Sequence, residues 1–220
     1  VVSPPSSCPK CGRRLGALDL IPVFSYIFLV GRCRHCGEKI SPQYLLIEIL
    51  TGFLFLLMYM HTGLTPQLLN YLLLSAVLVV VAVIDLNHYR IPDKVLITGA
   101  ALQLVLNFFT RQIGFLDAFY GFAVGGFLVL LIAMVKPDGM GGGDIKLTAA
   151  LGLFLGWQKI LLAFFLACFL GAVVGLVMIA VKRKNLKEAI PFGPFLAVAG
   201  ISSLLWGQQV LHWYLELFWR

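Results

Sequence analysis

Apolar stretches long enough to cross a lipid bilayer recur along this chain, and they limit its fold more than any other feature. A helix rises ~1.5 Å per residue and the hydrocarbon core is ~30 Å thick, so a run of about 20 apolar residues is the expected unit. Such runs occupy residues 44–61, 68–86, 95–109, 116–135, 160–181 and 194–219. A shorter one at 145–157 is expected to be a thin, tilted span or half a helix entered from the irregular stretch Gly139-Met140-Gly141-Gly142-Gly143. Composition points the same way: 60% hydrophobic residues and 12% charged ones lie far outside the soluble range. The expected fold is all-α, a polytopic membrane helix bundle over residues 44–220 with about seven helical segments, one of them short. The chain opens Val1-Val2 with no initiator Met and no charged-then-apolar leader before residue 8, so no signal peptide is expected; the start reads as a processed end or a truncation.

Assigning loops alternately to the two membrane faces gives a strong asymmetry. Segments 1–43, 87–94, 136–146 and 182–193 fall on one face and hold fourteen of the seventeen Lys and Arg, leaving Arg111, Lys159 and Arg220 for the other. The positive-inside rule puts the rich face in the cytoplasm. Asp85 and Asp144 both lie on that face. The net charge of +7 therefore reads as a rim against anionic lipid headgroups, not as a nucleic-acid footprint.

Before the first span stand two Cys-x-x-Cys knuckles, Cys8-Pro-Lys-Cys11-Gly and Cys33-Arg-His-Cys36-Gly, 21 residues apart. Four thiolates in this pattern suit a closed tetrahedral zinc site, and the glycine after each pair frees the backbone to turn its amides toward sulfur. Disulfides are the alternative, but a cytoplasmic segment keeps its thiols reduced. Residues 1–43 are thus expected to form a small cytoplasmic zinc-binding domain whose modest apolar content, between Leu18 and Val30, the metal supplements. His35 could replace one ligand, although the four cysteines already complete the coordination. Cys168, alone in mid-span, reads as packing.

Only ten residues are acidic, so their positions carry information. Asp85 ends an apolar run within Ile84-Asp85-Leu86-Asn87-His88-Tyr89-Arg90-Ile91-Pro92-Asp93, and Asp144 closes Gly141-Gly142-Gly143-Asp144. A carboxylate at a bilayer boundary is costly unless it faces protein or water. Helix capping accounts for Asp144, whose charge would favour a helix N-terminus, but a negative charge at a helix C-terminus is disfavoured and Asp85 has no such explanation. Two carboxyl groups brought close share a proton, which suits peptide hydrolysis: one activates water and the other donates to the carbonyl oxygen. The glycines Gly141, Gly142 and Gly143 would let an extended substrate lie against bare backbone.

These residues resemble the type IV prepilin peptidases, a family of GxGD intramembrane aspartic proteases. The likeness runs through Asp85 to Ile91-Pro92-Asp93, Gly139 to Leu147, both knuckles, Ser41-Pro42-Gln43-Tyr44 with Glu48, and Ile190-Pro191-Phe192-Gly193-Pro194-Phe195, covering essentially the whole chain. The resemblance implies that Asp85 and Asp144 are the catalytic pair of a leader peptidase in the bacterial cytoplasmic membrane, acting through water on the cytoplasmic side. It also implies type IV prepilins or pseudopilins as substrates, cleavage after a glycine, and methylation of the new N-terminus with S-adenosylmethionine. The family carries a further membrane helix before its zinc-binding region, which this chain begins without.

Other residues have plainer readings. Glu48 is a helix-dipole charge or, by its place in the family's motif, a participant in methyl transfer. His88 reads as an interfacial histidine, Asp93 as a cap or a partner for a cation, and Lys146 as a snorkelling side chain or a counter-charge to Asp144. Trp157, Trp206, Trp213 and Trp219 read as interfacial anchors. No glycine-rich nucleotide fingerprint marks the methyl-donor site. Two competing functions, a proton-coupled transporter and a zinc-knuckle scaffold, fit less well: both aspartates sit at one face, not the midplane, and a scaffold leaves them unexplained.

Overall fold

The computed structural model describes residues 6–136, 140–181 and 190–218, so Gly139, the basic group Lys182, Arg183, Lys184 and Lys187, and Trp219 lie outside the described residues. Among the described residues, a 3-10 turn at Ala17–Leu20 is followed by seven helices: α1 (Phe24–Phe28), α2 (Pro42–Thr62), α3 (Gln67–His88), α4 (Asp93–Thr110), α5 (Phe115–Val135), α6 (Gly142–Ala180) and α7 (Gly193–Phe218). The only β pairing among the described residues is two isolated bridges. Among the described residues five helices, α2, α3, α5, α6 and α7, are long and apolar enough to span a membrane, and this is a multi-pass membrane protein. The expected span at 95–109 is helical, as α4, but Asp93, Lys94, Gln103 and Asn107 dilute its apolar character.

Local chemistry sets the helix ends. α2 opens with Pro at its first position, where a missing N–H costs nothing, and the Ser41 hydroxyl accepts the Gln43 N–H at 3.3 Å. It stops at Gly63, whose φ of 66° places its N–H on the Tyr59 carbonyl at 2.8 Å. At the end of α4 the buried Asn107 side chain closes the turn into α5, accepting the Ile113 N–H at 3.1 Å and donating to the Ile113 carbonyl at 2.9 Å. A polar residue in a membrane is thereby fully used.

The chain divides into two compact units, Val1–Leu57 and Met58–Arg220. In the second, α3, α4, α6 and α7 form a ring in which each contacts the next, and α5 packs along α6. The core holds Leu74 and Leu78 of α3, Leu147 and Leu151 of α6 and Leu196 of α7, each almost inaccessible. Large apolar side chains also stand outward, among them Phe109, Phe165 and Leu176, as a lipid-facing surface requires.

The α5–α6 contact is a close crossing of small residues. Gly121 and Gly125 of α5 face Gly152 and Thr148 of α6, and a Cβ on Gly121 or Gly152 would overlap the opposing backbone. Four residues further along, α6 breaks: Gly156 adopts φ 75° and ψ 173°, open only to glycine. The Trp157 N–H exposed by the break donates to Asp117 Oδ1 of α5 at 3.3 Å, so α6 is two helices, 142–155 and 157–180, the second capped from a neighbour. The short apolar run read from the sequence is the first half.

Candidate functional site

The C-terminal end of α3 and the N-terminal ends of α4, α6 and α7 come together at one end of the second unit, and each contributes. α3 continues one turn past Asp85 and closes at Tyr89, left-handed at φ 53°, whose N–H donates to the Asp85 carbonyl at 2.8 Å. The Asp85 side chain faces inward, and the residue is only 5% exposed. Its Oδ2 accepts the N–H of Gly193, the first residue of α7, at 2.9 Å. The feature that made Asp85 anomalous in the sequence, a carboxylate near the unfavourable end of its own helix, is thus offset by the favourable end of another.

Asp144 is the third residue of α6. It is not the N-cap that its sequence position suggested: that place belongs to Gly141, whose N–H donates to Asp144 Oδ2 at 3.0 Å. The Thr148 hydroxyl donates to the Asp144 carbonyl at 2.8 Å and tightens the first turns. Asp144 lies within range of the Asp85 charge, so the two carboxylates form one electrostatic site. Each has one oxygen tied to a backbone amide contributed by a glycine.

The glycines behave differently from one another. Gly141 is extended, but Gly142 and Gly143 belong to the first turn of α6 and not to an extended loop, because the helix begins three residues earlier than the apolar run implied. A Cβ on Gly142 would meet nothing, whereas one on Gly143 would press Ile91 at 3.0 Å. Lys146 does not pair with Asp144. Its ammonium donates to both oxygens of Asp93 at 2.8 and 2.9 Å, bracing α6 against the start of α4. His88 is exposed at the end of α3.

In the first unit, the two cysteine knuckles repeat one geometry. Gly12 and Gly37 take φ of 68° and 70° and donate to the carbonyls of Cys8 and Cys33 at 2.9 Å. Bridges Ser7 to Arg14 and Arg32 to Lys39 close each loop. All four sulfurs, from Cys8, Cys11, Cys33 and Cys36, lie within 4.8 Å of one another. Cys8 and Cys36 are 3.8 Å apart, close to the edge of a tetrahedron with ~2.3 Å metal–sulfur arms. Backbone N–H groups of Cys11 and Lys10 lower the Cys8 thiol to about 6. At Cys36 the Glu38 N–H acts in the same sense but is outweighed by burial and the other sulfurs, which push the thiol up to about 11. Four sulfurs this close repel one another as thiolates, and a divalent cation held among them relieves that repulsion.

Beside the knuckles is a cavity of about 700 Å³ whose lining includes Asp19, Tyr26, Arg34, Glu38, Tyr44 and Glu48. Asp19 is paired with Arg34 at 2.8 Å and Glu38 with Lys10 at 2.6 Å. Glu48 Oε2 accepts the Val23 N–H at 2.7 Å. Val23 sits at φ 66° and ψ −53°, a region that β-branched residues seldom enter, so this carboxylate supports a strained turn ahead of α1. Sequence reasoning missed that contact, and it also missed Gly193 as the donor to Asp85.

Residues 1–62 match the model of the bacterial peptidase A24 N-terminal domain, and residues 72–176 match that of the Type IV leader peptidase family. The chain is 39% identical over 221 residues to the prepilin leader peptidase/N-methyltransferase of Aeromonas salmonicida (strain A449), covering 97% of this chain and 75% of that protein. It is 37% identical to the protein so named in Pseudomonas aeruginosa, covering 98% of this chain and 76% of the relative. The protein of that name in Bacillus subtilis is 34% identical, with 99% and 88% covered. No solved structure matches the chain.

Proposed function

The chain belongs to the Type IV leader peptidase family, and we propose that Asp85 and Asp144 are the catalytic pair with which it removes leader peptides from type IV prepilins and pseudopilins. The observation that carries this reading is that two carboxylates from separate helices lie within electrostatic range of each other, each with one oxygen held by a glycine N–H. Held in this way, one carboxylate takes a proton from a water as that water adds to the scissile carbonyl carbon, and the other, protonated, donates to the carbonyl oxygen. The resulting diol collapses as the amide nitrogen is protonated and the C–N bond breaks. One water is consumed and the pair again holds one proton.

The chain is also a methyltransferase of the new N-terminus. The first unit supports the remaining assignments. The four cysteines fit a structural zinc ion by their donor set and spacing. The cavity beside them is large enough for S-adenosylmethionine and has Tyr26, Tyr44 and Glu48 in its lining, while Asp19 and Glu38 there are paired with Arg34 and Lys10. When bound, that cofactor supplies an electrophilic methyl group for the freed amine. The concentration of Lys and Arg in alternate loops supports the bacterial inner membrane with the active site toward the cytoplasm.

The test is cleavage of a purified prepilin, followed as a size shift. Asp85→Asn and Asp144→Asn should each lower the rate at least ~100-fold while zinc content and thermal unfolding stay as in the wild type. A variant that cleaves at the wild-type rate removes its aspartate from the catalytic pair.

A further inference from the structure

We propose that the Gly193-Pro194 turn at the start of α7 is the positioning device for Asp85, holding Oδ2 with the Gly193 N–H and presenting Oδ1 to the water that attacks the peptide. This rests on the catalytic-pair reading above and extends it to a segment 108 residues away in sequence.

Three features of the turn support it. First, the hydrogen bond is 2.9 Å long, buried, and made to the carboxylate itself. Second, only glycine leaves the carboxylate in place: a Cβ on Gly193 would lie 2.6 Å from Asp85 Oδ2 and 3.2 Å from Cγ, so any side chain pushes the carboxylate aside. That exclusion arises from close approach, not from an unusual backbone angle. Third, Pro194 follows at the first turn of the helix, where its fixed φ suits the helical start and it has no N–H to compete for Asp85. The first amide of α7 to bond within its own segment is that of Leu196, to the Phe192 carbonyl at 3.1 Å. The Gly193 N–H is therefore released to Asp85 by the ordinary geometry of a helix start.

Asp144 is oriented differently, by Gly141 at the cap of its own helix. Tying one oxygen of each carboxylate leaves the other two to share the water and the proton. Asp85 depends on a distant element for that tie, so its geometry is complete only when α7 has docked against α3.

Two measurements on the full chain test this. Between Ile190 and Pro194 only Ile190, Phe192 and Gly193 carry amide hydrogens, because Pro191 and Pro194 have none. Hydrogen exchange of that segment should show a protected amide in the wild type that becomes fast in Asp85→Ala; absence of a protected amide overturns the proposal. Second, Gly193→Ala should lower kcat, counted per prepilin-binding site, on the order of 100-fold, with KM within ~3-fold. Gly171→Ala, where the new methyl meets Phe195 of α7 at an ordinary 3.6 Å, should cleave as the wild type does. An unchanged kcat in Gly193→Ala, or a loss lying wholly in KM, overturns the proposal. If Gly193→Ala fails to bind prepilin, the exchange measurement decides alone. Asp85→Asn cleaving at the wild-type rate removes the catalytic-pair reading and this one together. Asp85→Asn inactive beside a normal Gly193→Ala removes this one only.

Discussion

Single carboxylates do separate work in this chain, and their contacts sort the roles. Glu48 is the acceptor for the strained Val23 amide and also lines the cavity assigned to the methyl donor. Glu48→Ala should therefore speed proteolysis around residues 20–30 and abolish methylation, with leader cleavage within ~3-fold of the wild type; mass spectrometry of the processed pilin separates the two products. Equal loss of cleavage and methylation would end the division of labour. Asp117 is a cap for a helix other than its own. Asp117→Ala removes the acceptor of the Trp157 N–H and should cost about 1 kcal/mol in unfolding of the purified protein.

At the scale of elements, the α5–α6 crossing is the least forgiving contact. The Gly121 and Gly152 backbones touch, so Gly152→Ala must separate the helices or bend them, an overpacking cost of about 1–3 kcal/mol. Gly142→Ala, which meets open space, should leave stability unchanged, and thermal unfolding of both variants makes the comparison. The helices themselves were legible in the sequence because apolar run length is a local property. The short run at 145–157 was legible as half a helix, but its irregular end was expected at Gly139–Gly143, whereas the break is at Gly156. Partners were not legible. Lys146 is next but one to Asp144 in sequence yet pairs with Asp93, because helical geometry turns nearby side chains to different faces. Asp85 and Asp144 stood out through their scarcity, but the amide that holds Asp85 comes from an element whose docking no spacing rule reveals.

At the scale of the whole molecule, the chain joins a metal-ready unit of few apolar contacts to a helical bundle with its own core. Replacing Cys8 and Cys11 by Ser should release zinc and open residues 6–40 to protease, while the unfolding transition of the bundle persists; stoichiometric zinc in that double variant would rule out the four-cysteine centre. The bundle carries its own adjustment. α6 is interrupted at Gly156, and both of its halves are held by α5: 142–155 through the glycine crossing and 157–180 through the Asp117 cap, the second half being tied also to α7 by Ser203, whose hydroxyl donates to the Lys159 carbonyl at 2.7 Å. A break at this point lets the two halves of α6 lie along different axes, and bilayers of different thickness call for different helix tilts.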